Sequence, residues 1–133
     1  MSSRHDRGLS LIELLVVLLV VAILAAIALP AYRGHVLKAN RKEAIAALGR
    51  IQIAQEARRG SASTYGTLAD LGIPAATDGG LYALSITGLT ATTYVATATA
   101  TGSQAADTDC ATLSATQAGP DIATDAKKAC WAQ

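Results

Sequence analysis

The chain has 133 residues, a formal net charge of +1, no phenylalanine and a single tryptophan, Trp131. That length suits one small domain and is too short for a large independent core. The near-neutral balance excludes a chain that is basic along its whole length, and the shortage of aromatics predicts a core of small side chains.

Residues 1–8 carry Arg4 and Arg7 and end in Gly8; an apolar run follows, with one acid, Glu13, near its start. Residues 14–29 hold twelve Leu, Val or Ile side chains, which at about −0.3 to −0.6 kcal/mol each favour insertion by on the order of −5 kcal/mol. An ionised group at the centre of a membrane helix costs roughly 2.5–3.5 kcal/mol, and less near an end, so the run tolerates Glu13. As a helix, residues 9–29 would measure about 31 Å, enough to cross a hydrocarbon core. A secretory signal peptide has a shorter apolar region of about 7–15 residues and a cleavage site behind it. Here the run continues through Pro30 into a charged helical pattern, and a plain anchor has no use for Glu13.

The stretch RGLSLIELLVVLLVVAILAAIALPAY resembles the amino-terminal signature of type IV pilins, the class III prepilin signal. The resemblance implies an α+β pilin fold. A long amino-terminal helix, kinked near Pro30, would pack on a small antiparallel sheet of three or four strands. It also implies that a prepilin peptidase cuts between Gly8 and Leu9 and methylates the Leu9 amine. Glu13 corresponds to the family's glutamate, five residues after the cut. Two positions depart from the usual pattern. Leu9 stands where phenylalanine is usual, and Ala22 stands where the family often has a helix-loosening glycine. Alanine favours helix by about 1 kcal/mol over glycine.

An α-amino group has a reference pKa near 8 and is charged at neutral pH. In a filament of packed apolar helices the Glu13 carboxylate of one subunit would meet the Leu9 amine of the next. A buried ion pair contributes little net stability, but leaving one partner alone is strongly destabilising. Glu13 is therefore expected to set the stagger of subunits. The expected organisation is leader 1–8, a transmembrane and filament-core half-helix 9–32, an amphipathic half-helix 33–59 and a small β head 60–133.

Leu37, Ala44, Ile45, Leu48 and Ile51 fall at helical spacing and make one apolar face. Gly60 and the serines after it end the helix. Residues 64–80 read as a connection with a turn near residues 67–71 and a break at Pro74. Residues 81–87 and 92–101 read as strands, the second with Ala96, Ala98 and Ala100 alternating with Thr97, Thr99 and Thr101. Residues 108–116 suggest a third strand, 118–121 a turn, and 127–132 a fourth strand pairing back.

Charge is uneven. Arg33, Lys38, Arg41, Lys42, Arg50, Arg58 and Arg59 outnumber Glu43 and Glu56 on the helix, whereas Lys127 and Lys128 face six Asp in the head. Solvated surface explains this, and so does packing of one head near a neighbour's helix. By charge count the positive-inside rule would keep the head in the cytoplasm. The more specific prepilin signal overrides it and predicts a single-pass inner-membrane protein with a periplasmic head, later extracellular in the pilus.

Cys110 and Cys130 lie near the end, with no matching metal-ligand spacing; His5 falls in the leader and His35 stands alone. In an exported protein such a pair forms a disulfide, as in similar pilins, and a loop of about 20 residues contributes roughly 3 kcal/mol in the chain-entropy model. No catalytic motif, cofactor or metal is expected. Asp107, Asp109, Asp121 and Asp125 match no calcium-loop spacing.

The resemblance implies a structural subunit of a type IV pilus, of the minor kind, serving assembly, twitching motility, adhesion or DNA uptake. Its partners would be other pilin subunits, the prepilin peptidase and the inner-membrane assembly machinery. One alternative is a pseudopilin of type II secretion. Another is a DNA-uptake receptor, with Lys127 and Lys128 beside Trp131 supplying phosphate contact and base stacking. The surrounding acids weigh against that second site.

Overall fold

The computed structural model describes residues 8–132, so the expected leader, apart from Gly8, lies outside the described residues. Helix α1 spans Leu11–Arg59 and carries Pro30 in its interior. A proline in that place removes the donor that the carbonyl of Ala26 would otherwise receive, yet the helical backbone continues on both sides. Contacts divide the chain into a unit through His35 and a unit from Val36 onward.

In the first unit every Leu, Ile and Val of residues 9–29 is exposed. A helix that is apolar on all sides is built for lipid or for other helices. The helix is long and apolar enough to cross a membrane.

In the second unit the remainder of α1 lies against a four-stranded antiparallel sheet of simple order β1-β2-β3-β4. The strands are β1 Tyr82–Thr87, β2 Val95–Ala100, β3 Thr112–Thr116 and β4 Gly119–Pro120. The alternation in β2 is real: Ala96 and Ala98 are buried while Val95 and Thr99 face out. Ala96 pairs with Ile86 and Ala115, and Ala98 with Leu84 and Leu113. The buried alanines of the sheet meet Ala44, Ala47, Leu48 and Ile51 of α1 in one core. Small side chains on both surfaces allow close approach, and Tyr82 and Tyr94 are the largest of the fully buried side chains. Leu37 and Ile45, expected on the apolar face, are only half-buried.

The β1 edge is covered and the β4 edge is blunted. Beside β1, Leu84 N–H donates to Ala75 O at 2.8 Å and Thr77 N–H to Tyr82 O at 2.9 Å. On the other side β4 is two residues long and ends in Pro120, which has no N–H to offer. The connection after α1 is tied back by Gln55, fully buried, which donates to Gly66 O at 2.7 Å and accepts from Gly66 N–H at 2.9 Å. A Cβ on Gly66 would stand 2.7 Å from Arg58 Nε, so the loop approaches this closely only with glycine there.

The carboxy-terminal segment departs from expectation. Residues 127–132 do not form a strand: helix α2 covers Asp125–Trp131. Thr124 caps it, its Oγ1 accepting Lys127 N–H at 3.2 Å, and Asp125 favours the first turn. Residues 118–121 are not simply a turn, because Gly119 pairs with Thr116 and Pro120 with Ala115. Gly119 has φ +121, a conformation reserved for glycine, and that allows the reversal after β3. The third strand starts later than expected. Residues 102–106 and 108–110 instead form two 3-10 turns.

Candidate functional site

At the amino terminus Gly8 and Leu9 precede the helix, and Glu13 lies in the first turn of α1. An acid there is favoured by the helix dipole. Glu13 is exposed and has no cation at ion-pair distance among the described residues. The geometry leaves its charge open to a group from another molecule.

At the other end Cys110 and Cys130 are joined by a disulfide with Cα atoms 5.6 Å apart. The bond ties α2 to the 3-10 turn before β3, and Cys110 and Cys130 are both buried in the core. Lys127, Lys128 and Trp131 share α2 but not a common environment. Lys127 forms an ion pair with Asp121, whose carboxyl is held below the usual range first by that hydrogen bond and then by Ala123 N–H. Lys128 is exposed with no ion-pair partner among the described residues, and Trp131 is half-buried against the core. Asp125 sits in the same short helix and Asp109 in the turn beneath it. Of the three residues read as a DNA contact, Lys128 alone offers an uncommitted cation, and it stands among acids.

Asp107, Asp109, Asp121 and Asp125 do not converge on one point. Asp107 is taken by Arg41 and Asp121 by Lys127. Among the described residues no three His, Cys, Asp or Glu side chains come together as metal ligands.

Charge placement pairs a basic helix with an acidic head, but no local motif marks the polar seam between α1 and the 3-10 turns. Arg41 grips Asp107 with two parallel bonds, Nε to Oδ2 at 2.7 Å and a second guanidinium nitrogen to Oδ1 at 2.8 Å. The two side chains are 14% and 6% exposed. The pairing raises the Arg41 pKa above its ordinary value through the hydrogen bond to Asp107. Gln104, fully buried, donates to Leu37 O at 3.0 Å and to the Tyr82 hydroxyl at 2.9 Å, and accepts from Asn40 Nδ2 at 3.0 Å. The seam is held by residues 64 to 67 positions apart, so no local pattern could mark it. Part of the basic-helix, acidic-head complementarity is thus used within one chain.

A long apolar helix continuing into an amphipathic half, a four-stranded meander and a carboxy-terminal disulfide together define a type IV pilin. Residues 3–29 match the prokaryotic N-terminal methylation motif. Residues 30–114 match the family described as type IV minor pilin ComP, DNA uptake sequence receptor; this is more than half of the chain, and the chain belongs to that family. It is a minor subunit of a type IV pilus, with other pilus subunits as its partners. No curated protein matches the chain. The family is described as one of type IV pilus subunits.

Proposed function

We propose that the chain is a DNA-uptake receptor carried in the pilus as a minor subunit. It is cut between Gly8 and Leu9, methylated at Leu9, and assembled through Glu13. The match of residues 30–114 to a DNA-receptor pilin family carries this reading. The disulfide supports an oxidising compartment for the head, and so a periplasmic orientation before assembly.

The matched residues end before α2, so Lys127, Lys128 and Trp131 lie outside them. They include Lys38 and Lys42, exposed cations of α1 without an ion-pair partner among the described residues. With so few free cations, DNA affinity should rest on a handful of phosphate contacts. The test is fluorescence anisotropy of labelled duplex DNA with the mature full-length protein in detergent. Binding should fall with salt at a slope of about −0.9 per neutralised phosphate on a logarithmic scale. Lys38→Ala and Lys42→Ala should each weaken it more than Lys127→Ala, because Lys127 lies outside the matched residues and is already held by Asp121. No binding at low salt would overturn the receptor reading while leaving pilus membership intact.

A further inference from the structure

The apolar surface of α1 ends abruptly. Every Leu, Ile and Val of residues 9–29 is exposed, and Tyr32, the first tyrosine in the chain, is 68% exposed. Arg33 follows it and is exposed too. Neither the Tyr32 hydroxyl nor the Arg33 guanidinium has a hydrogen-bond or ion-pair partner among the described residues. No acid lies between Glu13 and Glu43, so nothing along this stretch of helix neutralises Arg33.

Arg33 stands twenty residues after Glu13, and every residue between them is uncharged. A helix covers that separation in about 30 Å at 1.5 Å per residue, and a hydrocarbon core is about 30 Å thick. The two charged groups that bound the run therefore reach opposite faces of a bilayer together. Tyrosine favours that depth, because its ring is apolar and its hydroxyl seeks water. An arginine one residue beyond meets lipid phosphate, which its planar fork matches with paired hydrogen bonds. Anionic headgroups add to the attraction. Nucleic acid carries phosphate as well, but a hydrated duplex gains nothing beside the apolar surface that ends at Leu29. Lys38 and Lys42 follow five and nine residues after Arg33, in the second unit, and are no part of this contact.

We infer that Arg33 is a lipid-headgroup site. Its guanidinium binds the phosphate of a phospholipid in the leaflet opposite Glu13, with Tyr32 at the hydrocarbon boundary. The contact fixes the depth of α1 before assembly. It holds the Glu13 carboxylate at the other boundary, within reach of water, until a neighbouring subunit answers its charge. The inference rests on α1 spanning the membrane.

The test uses the mature full-length protein, carrying carbon-13 in its arginine guanidinium groups, in vesicles of phosphatidylethanolamine and phosphatidylglycerol. Solid-state NMR reads the dipolar dephasing of those carbons by lipid phosphorus. Five arginines carry the label: Arg33, Arg41, Arg50, Arg58 and Arg59. About one-fifth of the signal should dephase, at the carbon–phosphorus distance of about 4 Å that paired hydrogen bonds of about 2.8 Å impose. Arg33→Gln should abolish the dephasing and Arg50→Gln should leave it intact, with both variants disulfide-bonded and retained by the vesicles. No dephasing in the vesicle-bound wild type, or dephasing that survives Arg33→Gln, would overturn the site. Release of the wild-type chain from the vesicles by alkaline extraction would instead overturn the membrane span on which it rests.

Discussion

Glu13→Gln should reach the membrane at the wild-type level and be missing from pili. Insertion loses nothing, because removing an ionised group from an apolar helix only lowers the cost of entry. Assembly loses a great deal. The carboxylate lies in the first turn of α1, exposed and without a cation among the described residues, so a group on another molecule must answer its charge. Cleavage after Gly8 would supply that group as the Leu9 amine of a neighbouring subunit. With Glu13 neutral, an ammonium would be left unpaired inside an apolar bundle, which is costly enough to reject the subunit. The measurement is the ratio of pilus-bound to membrane-bound protein. The ratio should fall at least about tenfold; breaking a buried pair costs about 3–5 kcal/mol, more than the 1.4 kcal/mol per factor of ten requires. An unchanged ratio would remove the role assigned to Glu13.

Asp107→Ala should be the most destabilising single change in the head. It strands the Arg41 guanidinium in a site where that side chain is 14% exposed, and it frees the turn that presents Gln104. Breaking one partner of such a pair typically costs about 3–5 kcal/mol. For a domain of this size that corresponds to a fall of more than about 10 °C in Tm. Replacing both partners with apolar residues, Arg41→Met with Asp107→Leu, should recover much of the loss, because no charge then remains buried. Thermal unfolding of the full chain in detergent, followed by the fluorescence of Trp131, reads both variants. A double variant less stable than Asp107→Ala would show that the pair contributes more than compensation for its own burial.

The parts of this fold that were legible in the sequence are those whose physics is local. The apolar run, the helical spacing of Ala44, Leu48 and Ile51, and the Ala/Thr alternation of β2 each repeat within a few residues, and each sits as its period requires. Helix α2 was missed because seven residues are too few for a period to show. Its local cue was Thr124 followed by Asp125, an N-cap signal that the reading of 127–132 as a pairing strand passed over. The Arg41–Asp107 pair is 66 residues apart in sequence, and β4 is two residues long. Both follow from how α1 and the sheet come together, not from any run of neighbouring residues. At the candidate sites, Gly8, Leu9 and Glu13 were marked by a motif. The separation of Lys127 from Lys128 depends on where Asp121 lands once Gly119 has reversed the chain.

Mass spectrometry of the intact protein recovered from sheared pili addresses the central claim most directly, that this acid-bearing apolar helix belongs to a processed pilus subunit. The chain should begin at Leu9, carry a methyl group on that terminal amine and keep its Cys110–Cys130 bond. A chain found only outside the pili, with its first eight residues still attached, would contradict the account.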